Sequence, residues 1–224
     1  KKALLPGQTA TFVNYTSYSR GINGIMVDIR NLGDAMGLGP SDFEFRVGND
    51  NEPSQWPMVS ALPLISVRVG EGRGGSDPVT IIWPSKTISQ QWLEVTVKAS
   101  ANTGLVKDDV FYFGNAIGET GNSEGQTLVD GFDYLSVLSN RGTYGQKRVN
   151  VRNHYDINRD RSIDEFDAAL VNSHVIGSDT ALRLIALTFD GSEEHPLVVG
   201  RRIFYNNSAF DGNDSDATVD DDHA

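Results

Sequence analysis

The chain has 224 residues, 38% of them hydrophobic, with 30 Asp and Glu against 19 Lys and Arg and a formal net charge of −11. The length suffices for one large or two small domains with a real core, the charge opposes phosphate backbones and anionic lipid, and no apolar run approaches the roughly 20 residues of a membrane span. The absence of cysteine excludes disulfides, thiolate metal sites and cysteine nucleophiles without fixing the compartment.

The charge is uneven. Residues 211–224 hold six Asp and no Lys or Arg, which leaves −5 for residues 1–210. No signal-peptide pattern opens the chain at Lys1, so any such segment is expected to have been removed or to lie upstream.

From Gln8 to about Phe113 the hydrophobic period is two. Residues 22–30, 42–47, 63–69, 79–83, 92–99 and 109–113 are short runs rich in β-branched and aromatic residues, separated by Gly, Pro, Asn and Asp. This spacing predicts a mainly β protein with an antiparallel β-sandwich in residues 1–113. Residues 70–77 and 50–57 read as surface loops, the second with two prolines that a central strand would exclude. After Phe113 the period changes. Residues 129–138 and 163–175 place apolar side chains at helical spacing behind acidic loops, predicting two short helices in a segment spanning 114–180. Strand-like text returns at 181–189 and 196–205, so 181–210 is expected to complete the sandwich or be donated to another, ahead of an acidic tail at 211–224.

The strongest local pattern is DINRDRSIDEFD at 156–167. Counted from its first residue, Asp156, Asn158, Asp160, Asp164 and Asp167 put side-chain oxygens at positions 1, 3, 5, 9 and 12. Ser162 offers a backbone carbonyl at 7 and Ile163 an aliphatic anchor at 8. Calcium takes six to eight oxygens, and this alternation turns them toward one point. An Asx turn capping a helix would use some of the same residues, but five oxygens in register with the aliphatic residue favour calcium as the cofactor. Position 6 usually needs a left-handed backbone and Gly; Arg161 stands there, at a cost of about 1 kcal/mol or more. A weaker copy lies upstream. Aligning Val129 with Ile163 puts Asn122, Glu124 and Gln126 at 1, 3 and 5, Asp130 at 9 and Asp133 at 12, with Asn115 and Glu119 as extra oxygens.

Two acidic loops, each followed by one helix and closing on Asp at position 12, resemble the type I dockerin duplication of half EF-hands. The wider text, DVFYFGNAIGETGNS at 109–123, VDGFD at 129–133 and NHYDINRDRSIDEFDAALVNSH at 153–174, resembles the dockerin-bearing ends of large secreted planctomycete proteins. There a β-domain written like FEFRVGND, VTIIWP and QWLEVTVKASANTGL precedes the dockerin-like segment. The resemblance implies a secreted or cell-surface location and calcium, and little about activity. Arg161 and Gln126 depart from the dockerin pattern, which bears on occupancy of the first loop.

Enzyme signatures are absent: there is no GxSxG, HExxH or phosphate-cradling glycine loop, and His154, His174, His195 and His223 stand in unrelated contexts. Glu44 and Glu94 could be paired as in a glycosidase, but both alternate with apolar strand residues and read as the solvent face of a sheet. Trp56, Trp83, Trp92, Tyr15 and Tyr18 are candidates for stacking on sugar rings. Trp83 and Trp92 lie in strand-like runs and are expected in the core, which leaves Trp56, between prolines, as the expected exposed ring.

In the proteins this chain resembles, text like RRIFYNNSAFDGND comes before text like ALLPGQTATFVNYTSYSRGINGI. Here the first stands at 201–214 and the second at 3–25. That order predicts a sheet missing its leading strand and a strand that either returns to it or enters the next subunit, with Ile203 and Tyr205 filling pockets. Entry into the next subunit is head-to-tail and propagates. The expectation is a non-catalytic, secreted, calcium-binding structural protein whose partner is a second copy or another extracellular protein. Beside it stand a carbohydrate-binding accessory module of a larger secreted enzyme, with polysaccharide as ligand, and a dockerin whose helices dock on a cohesin-like partner. Neither nucleic acid nor membrane insertion is expected.

Overall fold

Strand alternation decides this architecture, because the inward residues of one sheet must meet those of another. The structure, a computed structural model, describes residues 1–142, 147–188, 197–218 and 221. In chain order the strands are β1 (Tyr15–Thr16), β2 (Gly24–Ile29), β3 (Phe43–Gly48), β4 (Leu64–Val67), β5 (Asp77–Ile82), β6 (Trp92–Val97) and β7 (Asp109–Asn115). Then come helix α1 (Gly131–Asn140), the two-residue strands β8 (Lys147–Arg148) and β9 (Ser162–Ile163), helix α2 (Glu165–Ser173) and β10 (Val198–Ile203). One sheet has the order β1-β7-β6-β3 and the other β10-β2-β5-β4. All pairings within them are antiparallel except β1 with β7. The mainly β, sandwich-like fold read from the period of two is therefore the fold adopted.

Between the sheets, Ile25, Val27 and Ile29 of β2 and Val79 and Ile81 of β5 meet Phe43 and Phe45 of β3, Leu93 and Val95 of β6, and Phe111 and Phe113 of β7. Each is buried, and burying such a side chain fully is worth about 1.5–3 kcal/mol. Trp83 joins them, edge-on to Phe45 at 4.9 Å.

The alternate residues face outward, and both outer faces are covered. On the first sheet, Trp92 and Tyr112 lie among Leu4, Trp56, Leu182 and Ile185. Residues 181–188 do not form the expected strand. They cross the sheet face and bond to the N-terminal segment, through Ala10 N to Ile185 O (2.8 Å) and Leu187 N to Gln8 O (3.0 Å), with one isolated bridge at Thr9–Ala186. Phe189 and Pro196, at the edges of the two returning runs, lie outside the described residues, as do His195 and His223. On the second sheet, Met26 and Ile82 lie beneath Phe204 and Ala217, so the segment after β10 folds back over that face.

β10 pairs with β2 of its own chain, Ile203 opposite Ile25, with an irregularity between Val198 and Gly200. From β10, Arg201 reaches Asp109 of β7 bidentately, Nε to Oδ2 at 2.9 Å and Nη2 to Oδ1 at 2.5 Å, both side chains buried. The pair joins the two sheets.

The helical segment carries a small core of its own, in which Ile117, Val129, Val137, Ile157, Ile163, Ala168 and Val171 are buried together. Each helix begins two residues after its apolar pattern because an Asp precedes it in extended conformation as N-cap. Asp130 Oδ1 accepts from Phe132 N (2.7 Å) and Asp133 Oδ2 from Asp130 N (2.9 Å); Asp164 and Asp167 repeat this at 2.8 and 3.0 Å. Loop positions 9 and 12 thus double as a capping box. Among the described residues no helix is long and apolar enough to cross a membrane.

Candidate calcium centre

Residues 156–167 wind around their own Asp and Asn side chains. Asp156 accepts from Asp160 N (Oδ1, 3.1 Å) and Arg161 N (Oδ2, 3.0 Å). Asn158 Oδ1 accepts from Asp160 N (3.0 Å), and Asp160 Oδ1 from Ser162 N (2.8 Å). Asp167 Oδ1 accepts from Ile157 N (2.7 Å), which closes the loop from its far end. Arg161 has φ 71°, so position 6 adopts the left-handed backbone that the turn demands despite its Cβ. Beyond it, Ser162 and Ile163 pair with Arg148 and Lys147.

Asp156 and Asp167 are fully buried and Asp164 nearly so, while Asn158 and Ser162 are half-buried and Asp160 is exposed at the rim. Burial, reinforced by the charges of Asp167 and Asp160, pushes Asp156 up to about 7; Arg159 opposes it. Asp167 rises to about 6, again by burial first, against three backbone N–H bonds. Among the described residues no three His, Cys, Asp or Glu side chains converge into a ready cage. The carboxylates instead spend lone pairs on backbone N–H groups: Asp167 Oδ1 accepts two, from Ile157 N and Asn158 N, while Asp167 Oδ2 and both oxygens of Asp156 accept one each and retain a second lone pair. An all-oxygen donor set around two buried carboxylates is of the kind that calcium takes; Asp156, Asn158, Asp160, Asp164 and Asp167 would be its side-chain donors and Ser162 would offer its carbonyl.

A residue that the spacing did not single out ties the loop to the sandwich. Arg159, at position 4, is 1% exposed. Its guanidinium lies 4.5 Å from the ring centre of Tyr205 and donates to Asn153 O (3.2 Å), Ser17 Oγ and Tyr205 OH (both 3.4 Å). The adjoining backbone bonds Ser19 N to Ile157 O (2.9 Å) and Ala209 N to Arg159 O (3.1 Å). An Arg between Asn and Asp reads as a rim residue, and nothing in local spacing marks its inward turn.

The upstream copy is built differently. Asp133 Oδ1 accepts from Thr120 N (2.8 Å) and Thr120 Oγ1 (2.7 Å), so Thr120 takes the place that Ile157 has beside Asp167. Glu119 thereby corresponds to Asp156, and both are fully buried. The loop is three residues longer than the twelve-residue alignment assumed, which corrects Asn122 at position 1. Asn122, Glu124 and Gln126 are exposed. Asn122, Gln126 and Asp130 border an open hollow of ≈ 430 Å³ beside α1, while Asp133 bonds to Thr120 and Asp130. Glu119 is held by the Tyr15 hydroxyl and by Gly121 N (2.8 Å), and burial raises it to about 6. Asn115, the other extra oxygen, is spent on Gln90 N, Thr16 O and Tyr18 O.

The aromatic candidates for sugar stacking are all buried: Tyr15, Tyr18, Trp56, Trp83 and Trp92 are each 2% exposed or less. Trp56 is the correction. Its loop folds back along β3, with Val47 N bonded to Pro57 O and Val59 N to Phe45 O. The indole lies flat on Gly48, where a Cβ would come within 2.3 Å, and its Nε1 donates to Asp50 at 2.8 Å. Ile203 and Tyr205 are likewise buried, in the core of their own sandwich. Glu44 and Glu94 share the outer face of the first sheet, but Glu94 is buried there rather than solvated. It accepts from Tyr112 OH (2.8 Å), and Arg46 stands between the two carboxylates.

No family model, no curated protein and no solved structure matches this chain.

Proposed function

We propose that the protein is a non-catalytic, calcium-binding structural module that works outside the cell. The observation that carries the reading is the 156–167 loop, with Asp156 and Asp167 fully buried and both raised in pKa by that burial. Extracellular calcium modules function with dissociation constants of about 0.1–1 mM. Because the loop is bonded to Ser17, Ser19, Tyr205 and Ala209, an ion there stiffens the junction between helices and sandwich. Binding to the folded state alone at about 10 times the dissociation constant, which is millimolar calcium for a site of about 0.1 mM, stabilises by about 1.4 kcal/mol, or about 3–6 °C for a chain of this size. EDTA lowers the melting temperature by that amount, and Asp156→Ala with Asp167→Ala removes the loop's share; a melting curve indifferent to EDTA refutes the reading.

Its partner, in this proposal, is a second copy. β10 closes its sandwich through Ile203 and Arg201, and the same contacts form if it enters a neighbour's sheet, giving a head-to-tail chain. Electron microscopy at millimolar calcium then shows filaments; monodisperse monomers overturn the assembly while leaving calcium binding to stand.

One observation favours a second reading, docking of the helices on a cohesin-like partner. Phe132 and Phe166, each just before the closing Asp of its loop, are both 72% exposed. Phe132→Ala with Phe166→Ala abolishes titratable binding to cohesin modules if that reading is right.

A further inference from the structure

The C-terminal segment contains buried oxygens that its own hydrogen bonds leave unmatched. After β10 the chain folds back: Asn207 N donates to Asp214 O (2.9 Å), Asn213 N to Ser208 O (2.7 Å), and Asn206 Nδ2 to Ser215 O (3.5 Å). Asp211 uses Oδ1 to accept from Ser208 N (2.8 Å) and Asn213 N (3.0 Å). Asp221 uses Oδ2 to accept from Thr218 N (2.9 Å). Asn23, just before β2, donates its Nδ2 to Asn206 O (2.8 Å).

The second oxygen of each carboxylate, Asp211 Oδ2 and Asp221 Oδ1, has no partner among the described residues, and neither do Asn206 Oδ1 and Asn23 Oδ1. These four residues are between 1% and 4% exposed. A buried acceptor without a partner costs about 1–3 kcal/mol, more when charged, so each such atom calls for a water or an ion. The two carboxylates are neighbours electrostatically. Burial lifts Asp221 to about 6, the charges of Asp211 and Asp214 add to this, and Arg68 opposes it.

We propose that a second calcium ion is ligated by Asp211 Oδ2, Asp221 Oδ1 and Asn206 Oδ1, with Asn23 Oδ1 beside them. Two carboxylates offset the charge of one calcium, and carbonyls or water complete six to eight ligands. The ion fastens the segment that carries Ala217 over Met26, Ile82 and Phe204. Its function is to lock the covering of the second sheet. The site shares no ligand with the 156–167 loop and stands or falls separately from it.

The test uses the full chain, stripped of metal, with calcium as the only probe. Asp156→Asn with Asp167→Asn removes the loop site, and calorimetric titration of that chain still shows saturable uptake; adding Asp211→Asn and Asp221→Asn abolishes it. The amides keep the volume and an acceptor for the Ser208 and Thr218 N–H groups. In EDTA the Asp211→Asn, Asp221→Asn chain therefore melts no lower than the wild type, whereas in calcium it melts lower. A purely structural role for these carboxylates gives a loss in both conditions. Should that chain fail to fold, proteolysis of the Asp156→Asn, Asp167→Asn chain decides: cleavage within 206–218 slows in calcium. Uptake unchanged by Asp211→Asn and Asp221→Asn, or equal cleavage rates in calcium and EDTA, overturns the proposal.

Discussion

Arg161 is where this loop departs from what its backbone asks for. A left-handed φ of 71° at a residue with a Cβ costs about 1 kcal/mol or more. What the arginine returns is slight: it is exposed, its guanidinium lies 5.1 Å from the Phe210 ring, and its bond to Phe210 O is long at 3.5 Å. Glycine therefore wins, and because the left-handed backbone is present before any ion binds, Arg161→Gly is expected to stabilise the folded chain by about 1 kcal/mol, a rise of about 2–4 °C in melting temperature; an unchanged or lower melting temperature would contradict the strain argument. Asp156 and Asp167 set the pH response. Their carboxyls ordinarily ionise near 3.8 and in the folded, metal-free chain hold their protons to about 7 and about 6. The folded state thus binds more protons than the unfolded one between about pH 4 and pH 7. This contribution to stability is complete below about pH 4 and is lost as pH rises through 7, by on the order of a few kcal/mol. Melting of the chelated protein should fall over that range. Saturating calcium should reverse the trend, since calcium and protons compete for the same oxygens.

Among the elements, β10 joins the sheets most directly. Truncating one partner of a buried ion pair strands the other charge, at about 3–5 kcal/mol, whereas replacing both with apolar residues is often neutral. Arg201→Ala is expected to destabilise by about that amount, and Arg201→Met with Asp109→Leu to recover most of it in denaturant unfolding; additive losses would show that the pair does not act as a unit. Most strands were legible because period two and turn residues both marked them, as with Trp92–Val97 between Pro84 and Gly104. Residues 181–188 misled because their apolar side chains do cover a sheet, but as a strap across its face, and local pattern does not distinguish edge from face. The turn and helix start of the second loop were legible since the spacing of Asp164 and Asp167 is that of a capping box. The first was misaligned because a three-residue insertion shifts Glu119 into the place of Asp156 without disturbing Asp130 and Asp133 at the helix start.

At the scale of the molecule, two sheets enclose one core, and terminal and returning segments cover their outer faces. That burial removes every aromatic that sequence offered to a sugar, including Trp56, whose fate depended on the distant Gly48 and Tyr112. The acid charge is not a diffuse property either. Asp156 and Asp167 lie buried in the loop, and two of the six Asp of residues 211–224, Asp211 and Asp221, lie buried against the sandwich. The central claim, that the 156–167 loop is a calcium site, is tested most directly by calorimetric titration of the metal-stripped wild-type chain beside its Asp156→Asn, Asp167→Asn variant. The account predicts saturable binding at or below about 1 mM, with one ion fewer per chain in the variant. Equal uptake by the two folded proteins, or none by either at millimolar calcium, would contradict it.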